Sequence, residues 1–432
     1  MTSAGIARSQ TMERWITGPA VMLIVSMATL VHAYLVVKLL LMAVFLLAFA
    51  VNVFLRRTGI VVYRRLVWFY LWIAVIGIVW AMVGLLHPSN YVQGVYDALR
   101  LYVIWSAAFA LLYTLLRAGP SLQAMHRAIC VAGIVIPLIN FLALYDLFSG
   151  SGLIPASVRQ ELVLEIGIGD GYLQLGSRNI STMFVIAPYL LALQFRADAD
   201  KSTSTLTKLA LVLSLVLVAL SGRRALWIVV ALTPGIILLL SSLTGSSRLM
   251  TARGKRFLLM CAAASAVGLS AILILRDIGS ESAAVTRLKE AFSSEDERTI
   301  QRPYLIDAFT QSPVFGSGFG GYAGYQRNEA KPWTYELTYH TMLFNLGIVG
   351  TGFLLVLFSV YFFSVIRLLK RFKSESAIPF GLLVGFCCLL LGAYSNPYLG
   401  GFDSLFFAGL LPYLSTFQRG FDRFASTAGG VL

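Results

Sequence analysis

Two side chains that can accept a proton stand four residues apart, ahead of an apolar run. They are Glu336 and His340, in YELTYHTMLFNLGIVG at residues 335–350. On a helix this spacing puts both side chains on one face, and either a neutral imidazole or a carboxylate can take a proton from a hydroxyl group. One would be the base and the other would assist it. The alternative is a surface pair at a helix start, where a glutamate stabilises the first turn.

Arginines able to hold an anion form the second set of candidates. Arg223 and Arg224 lie between two long apolar runs in LVALSGRRALWIVVAL, residues 217–232, and Arg178 and Arg298 lie elsewhere on the same predicted side of the chain. The guanidinium group offers a rigid fork of donors that matches phosphate. The alternative for each is a side chain that extends to lipid headgroups. Several such arginines on one face of a bundle favour an anionic ligand.

A glycine-rich stretch, SPVFGSGFGGYAGY at residues 312–325, lies between Arg298 and Glu336. Its glycines allow tight turns and a close approach of the backbone to a ligand. The stretch lacks the GK[ST] ending of a phosphate-binding loop. The sequence also has no cluster of acidic residues or histidines at metal-ligand spacing. We therefore expect chemistry that uses no metal and no cofactor.

The composition identifies the kind of protein that must position these residues. Of 432 residues, 58% are hydrophobic and 12% are charged, whereas a soluble protein carries about 25% charged residues. The chain is therefore predicted to be a polytopic membrane protein. Its net charge of +14 is explained by basic cytoplasmic loops, so no nucleic-acid partner is expected. All four cysteines fall in apolar runs, and no structural disulfide is predicted.

The apolar runs predict an all-α fold with about twelve transmembrane helices. Their approximate positions are 17–33, 36–55, 66–86, 100–116, 128–148, 179–195, 204–220, 225–244, 257–275, 339–366, 378–395 and 401–418.

Basic residues orient these spans. Most of the 34 Lys and Arg residues fall in loops on one side, which the positive-inside rule assigns to the cytoplasm. Both termini are then cytoplasmic, and residues 1–432 form a single transmembrane domain. The long segments 149–178 and 276–338 lie outside. The second, between spans nine and ten, is predicted to be helical over 281–311, and long ordered loops usually carry function.

The order of three motifs resembles the bacterial O-antigen ligase and polysaccharide polymerase superfamily over roughly residues 170–400. The motifs are SGRRALW, then ERTIQRPYLIDAFTQSPVFGSGFGGY, then a titratable residue ahead of LGIVG. The resemblance implies a glycosyltransferase at the periplasmic face of the inner membrane. Its donor would be a glycan on undecaprenyl diphosphate. The acceptor would be a lipid A-core sugar in a ligase and another lipid-linked repeat unit in a polymerase.

The resemblance also implies roles for residues. Arg224 and Arg298 would bind the donor diphosphate, with Arg223 and Arg178 as further candidates for the same task. Ligases of this superfamily have a histidine eleven residues before the glycine that is Gly347 here, and Glu336 takes that position in this chain. Either Glu336 or His340 would then be the base of a metal-independent, inverting transfer. The glutamate is more typical of a polymerase than of a ligase.

A twelve-span transporter or flippase of a lipid-linked or anionic substrate is the alternative. Such proteins often have two six-span halves joined by a long cytoplasmic loop. Here the longest predicted loop lies on the opposite side, between spans nine and ten, which favours the enzyme.

Overall fold

A computed structural model describes residues 17–31, 33–56, 63–118, 122–162, 164, 166–169, 172–196, 204–246, 254–261, 263, 297–327, 329–371, 377–394, 399 and 402–419. The predicted ninth span beyond residue 263 and the first part of the 276–338 segment lie outside these residues. The helix predicted over 281–311 is therefore described only from residue 297.

The described chain is almost entirely helical. The helices are α1 (Thr17–Thr29), α2 (Leu35–Arg56), α3 (Arg64–Leu86), α4 (Val92–Leu99), α5 (Ser106–Ala118), α6 (Leu122–Ser149), α7 (Ala156–Leu162), α8 (Met183–Gln194), α9 (Ser204–Leu220), α10 (Arg224–Thr244), α11 (Glu297–Gln311), α12 (Thr338–Arg371), α13 (Ala377–Gly392), α14 (Phe402–Ala408) and α15 (Leu410–Ser415). A π-helical stretch, Arg100–Trp105, joins α4 to α5, and 3-10 turns occupy Arg178–Thr182 and Thr416–Arg419.

Several helices can cross a membrane, and the protein is a multi-pass membrane protein. Among the described residues, six helices have the necessary length and hydropathy, at Leu35–Phe54, Arg64–Leu86, Val92–Leu116, Leu122–Ser149, Arg224–Thr244 and Thr338–Arg371. Shorter apolar helices occupy Thr17–Thr29, Thr205–Leu220, Ala377–Gly392 and Leu405–Ser415. The count of twelve spans and the orientation of the termini remain predictions.

Helix α8 lies at the centre of the bundle, packed against α9, α10 and α13. Its residues are buried from Met183 to Leu190 without a break, as expected of a helix that is apolar on all sides. Gly381 and Gly385 of α13 lie directly on Tyr189 and Val185 of α8. Two glycines four residues apart allow helices to approach closely where hydrophobic packing alone gives no preference.

The all-α class is confirmed, with one short hairpin that was not predicted. Strands Ile166–Gly169 and Tyr172–Leu175 pair antiparallel in the long segment that precedes α8, with Ile166 opposite Leu175. The sequence between the strands is Asp170–Gly171, a pair typical of two-residue hairpin turns. Strands of four residues are too short to produce a clear hydrophobic period, so the turn was the better signal.

Helix α12 is broken near its start. Gly347 has φ +61° and ψ −170°, inside an otherwise helical run. The carbonyl groups of Phe344 and Asn345 instead accept the N–H groups of Ser317 and Gly318, at 2.9 and 3.0 Å. In return, the N–H groups that follow the break, at residues 348 and 349, donate to carbonyl groups at residues 313 and 314. The glycine-rich stretch 312–325 thus completes the interrupted helix.

The same stretch reaches the end of α3. The Phe319 N–H donates to the Trp80 carbonyl at 3.1 Å, and the Trp80 indole donates to the Phe315 carbonyl at 2.7 Å. Asn90 donates to the Ser317 carbonyl at 2.7 Å. The end of α3 and the start of α12 therefore lie at one end of the bundle, called the site end below.

Substitution of Gly347 by alanine should destabilise the protein. The left-handed φ is strained for alanine, at a cost of about 1–3 kcal/mol, and the new methyl group would meet the Val314 carbonyl and the Gly316 N–H. Gly352→Ala, in the same helix, is the matched control because nothing lies within 4 Å of its position. In thermal unfolding of the detergent-solubilised protein, we expect a lower Tm for Gly347→Ala alone. Equal Tm values would contradict the description of the break.

Candidate functional site

The six residues singled out from the sequence lie at the site end. Tyr339, between Glu336 and His340, donates its hydroxyl to the Leu390 carbonyl near the end of α13, at 2.5 Å. Gly392 of α13 packs on Phe184, at the start of α8. Arg178 begins the 3-10 turn that precedes α8. Arg223 contacts that region through the bond described below, and Arg224 follows it in the chain.

Glu336 lies between two arginines. Its Oε2 atom accepts Arg298 Nε at 2.8 Å, and its Oε1 atom accepts a terminal nitrogen of Arg327 at 2.6 Å. The carboxyl side chain is 13% exposed, whereas the arginine side chains are 32% and 34% exposed. Charge-assisted hydrogen bonds of this length are among the stronger ones in proteins. The structure thus joins Glu336, the candidate base, to Arg298, a candidate ligand of the donor diphosphate.

Helix α11 positions this carboxylate through the backbone as well. The Glu336 N–H donates to Gln301 Oε1 at 3.0 Å, and Gln301 is fully buried. Its Nε2 atom has no partner among the described residues. Arg298 and Gln301 are one turn apart on α11, so a single helix face holds both the side chain and the backbone of Glu336.

The predicted placement of Glu336 and His340 on one helix face is wrong. Helix α12 begins at Thr338, so Glu336 lies in the bend that precedes it. Both carboxylate oxygens bind arginines. His340 lies in the first turn of α12, and its Nδ1 atom is buried without a partner among the described residues. The i, i+4 rule does not apply across the start of a helix.

Arg327 was missed by the sequence analysis. It belongs to QRNEAK, residues 326–331, in the non-helical segment between the glycine-rich stretch and α12. A charged run in a loop is normally solvated and carries no specific signal. Only its position a few residues before Glu336 hinted at an ion pair.

The second set of arginines is anchored separately. Arg223 donates to the Ser177 carbonyl at 2.7 Å. The Ser177 hydroxyl oxygen lies 2.5 and 2.8 Å from the Oδ1 atoms of Asn140 and Asn179, either of which can accept its proton, in a buried polar network. Arg224 is the first residue of α10, which packs against α12. Arg223 therefore holds the start of α10 against the segment before α8, so it has a structural role in addition to its predicted one.

A cavity of about 720 Å³ opens beside the Arg327–Glu336 pair. At one end it is lined by Arg100, Arg327 and Lys331, with Asp97 as the acidic member. Asp97 accepts Arg100 at 3.1 Å and Lys331 at 3.2 Å. The rest of the lining is mainly aromatic and aliphatic. It comes from α3, the π-helical stretch, α12, α14 and their neighbours, and includes Ile73, Trp105, Leu354, Phe358, Leu405 and Ala408. The cavity is thus cationic at one end and apolar at the other.

Tyr335, next to Glu336 in the chain, also lines the cavity. Burial raises the pKa of Tyr335 to about 12, and its oxygen accepts the Ala323 N–H at 2.7 Å. The phenol therefore stays neutral near pH 7. It positions the glycine-rich stretch and does not act as a base.

Metal-ligating groups do not gather at this end. Among the described residues, no three His, Cys, Asp or Glu side chains lie together as a metal site would require. Metal independence of the chemistry remains a prediction from the sequence.

Comparison with known proteins supports the resemblance seen in the motifs. Residues 209–351 match a family model described as O-antigen ligase. The matched range contains Arg223, Arg224, Arg298 and both candidate bases. No curated protein matches the chain. The resemblance to the O-antigen ligase-related superfamily is confirmed. Its members are membrane glycosyltransferases of the ligase or polymerase type.

Gln301→Ala should loosen the site. The substitution leaves the Glu336 N–H without its acceptor, which costs about 1–3 kcal/mol for a buried donor. We expect a lower Tm in detergent than for Gln311→Ala, the control at the exposed end of the same helix. Equal Tm values for the two variants would mean that Gln301 does not hold the Glu336 backbone.

Proposed function

We propose that this protein moves a glycan from undecaprenyl diphosphate to an acceptor hydroxyl, at the periplasmic face of the bacterial inner membrane. The observation that carries the proposal is a carboxylate held between two arginines, one of which, Arg327, lines the charged part of a mainly apolar cavity. The ligase or polymerase type of the family is consistent with it. The donor, the membrane and its face are parts of the proposal.

The cavity fits an amphipathic donor. A long isoprenoid chain gains free energy by burial against aliphatic and aromatic walls, here residues such as Leu354 and Phe358. Its diphosphate would then lie among Arg327, Arg100 and Lys331 at the cationic end. Arginine forks match phosphate oxygens in geometry and charge. The resemblance assigns Arg298 and Arg224 to the same anion, with Arg223 and Arg178 as further candidates. These four side chains are not among the residues that line the cavity, so they would act around it.

The transfer needs a base and a stabilised leaving group. Glu336 removes the proton of the acceptor hydroxyl, whose oxygen attacks the anomeric carbon of the donor sugar. The bond from that carbon to the phosphate oxygen breaks, and the diphosphate leaves with the electron pair. Arginines fixed around the diphosphate stabilise the developing negative charge. Attack from the side opposite the leaving group inverts the linkage, without a metal or a cofactor.

His340 is the second candidate base. It lies four residues after Glu336 in the chain, and its Nδ1 atom has no partner among the described residues. It would assist proton transfer in this scheme. The glutamate at the first position favours a lipid-linked repeat unit as the acceptor, as in a polymerase. A lipid A-core sugar, as in a ligase, is the alternative acceptor, and glycan profiles separate the two.

Glu336→Gln should reduce glycan transfer by a factor of about 10²–10⁴, the contribution typical of a general base. The amide keeps the shape of the side chain but cannot take the proton. We would complement a deletion strain with each variant, check expression, and profile the glycans on gels. Glu329→Gln is the matched control because that glutamate is exposed in the same segment. His340→Ala should give a smaller loss than Glu336→Gln.

The profile also identifies the acceptor. Single repeat units on lipid A-core without long chains would indicate a polymerase. Long chains that accumulate on the carrier lipid would indicate a ligase. A normal profile for both Glu336→Gln and His340→Ala would refute the proposed site and favour the transporter interpretation.

Arg224→Ala should abolish transfer while the folded protein is still produced, because the substitution removes a cation assigned to the leaving diphosphate. Lys255→Ala is the control, because Lys255 is a basic residue exposed on the helical segment 254–261. Wild-type glycan chains made by Arg224→Ala would mean that this arginine serves only lipid headgroups.

A further inference from the structure

Arg327 belongs both to the ion pair with Glu336 and to the wall of the cavity. Its guanidinium binds Glu336 Oε1 at 2.6 Å, and the same side chain lines the cavity. Arg298, on the other carboxylate oxygen, is not among the residues that line the cavity. The two arginines around Glu336 are therefore not equivalent, since one of them faces the space assigned to the donor.

Their supports differ as well. Arg298 belongs to α11, whose next turn fixes the Glu336 backbone through Gln301. Arg327 belongs to the non-helical segment between Gly324 and α12, and its side chain is about one-third exposed. Gly324 has φ +83° with only the Tyr304 ring near its missing side chain. A side chain on such a segment can move at lower cost than one on a packed helix.

The charges favour a move toward the cavity. Arg100, Arg327 and Lys331 face it with only Asp97 as an anion among them. A diphosphate carries more negative charge than one carboxylate and accepts a guanidinium fork at least as well. If Arg327 leaves, Arg298 still neutralises Glu336, so the mostly buried carboxylate is not left unpaired. Because Arg298 stays bound, the withdrawal of Arg327 avoids the main cost of breaking a buried ion pair, which is an unpaired buried charge.

We propose that Arg327 is a donor-responsive positioning residue, which blocks Glu336 Oε1 until a bound diphosphate draws the guanidinium into the cavity. The inference rests on the proposed function and deepens it. In the structure both carboxylate oxygens accept hydrogen bonds from arginines. When the donor binds, Oε1 becomes free to receive the acceptor's proton, while Arg298 keeps the carboxylate in place. The base is thus available only when a lipid diphosphate occupies the cavity.

The test reads the Glu336 carboxylate directly and needs no turnover. The full chain in nanodiscs is treated with a carbodiimide and an amine, and modification of each carboxyl group is measured by peptide mass spectrometry. The probes are undecaprenyl diphosphate and undecaprenol, which differ only in the anion. Glu329, exposed in the same segment, serves as the internal reference for reagent access.

In the wild type we expect modification of Glu336 to rise several-fold with undecaprenyl diphosphate and not with undecaprenol, with Glu329 unchanged. In Arg327→Gln, modification should be high without any lipid and should not rise further. Arg327→Lys should restore part of the response, because lysine keeps the charge without the fork. Arg298→Gln should remain responsive, since Arg327 is still present to be withdrawn.

Two results would overturn the proposal. One is wild-type modification of Glu336 that stays constant or falls with undecaprenyl diphosphate. The other is an Arg298→Gln variant that behaves like Arg327→Gln, since general loosening of the segment would then explain both. A donor-dependent response together with normal transfer by Glu336→Gln would instead uphold the arginine movement and refute the proposed base. Loss of transfer in Glu336→Gln, without a donor-dependent change in Glu336 modification, would support the proposed base and refute the arginine movement.

Discussion

Backbone hydrogen bonds at the break in α12 hold the site end together. A helix that stops at Gly347 leaves N–H and C=O groups that water cannot easily reach near a bilayer, where each unsatisfied group costs several kcal/mol. The glycine-rich stretch supplies those partners from both sides of the break. Because the same stretch also bonds the Trp80 backbone of α3, the positions of Tyr335, Glu336 and the cavity wall all depend on this exchange.

The site concentrates positive charge around very few carboxylates. Asp97 and Glu336 each bind two basic side chains. Such clusters repel internally, and in a partly buried setting the repulsion is only weakly screened. An anionic ligand relieves it, so the arrangement is better suited to binding than to stability. The buried network around Asn140 and Ser177 consists of neutral side chains and holds Ser177, whose carbonyl accepts the Arg223 guanidinium.

Hydropathy and basic-residue counts predicted the membrane class and most helix positions, because these depend on local composition. They also placed Arg224 and Glu336 at one end of the bundle, because successive spans cross the membrane in opposite directions and the connecting loops therefore alternate between its two sides. The Arg298–Glu336 ion pair joins residues 38 positions apart, and no spacing rule relates such residues. Arg327 and the start of α12 at Thr338 depend on tertiary packing, which overrides the helical periodicity that had suggested a Glu336–His340 pair.

The interruption of α12 also sets the depth of the chemistry. An unbroken helix of 34 residues would extend about 51 Å, well beyond a hydrocarbon core of about 30 Å. The break divides it into a short piece at the site and a long piece in the bundle. Backbone hydrogen bonds on both sides of Gly347 fix the angle between the two pieces. The depth of Glu336 relative to the bilayer therefore depends on the length of the long piece and not on all 34 residues.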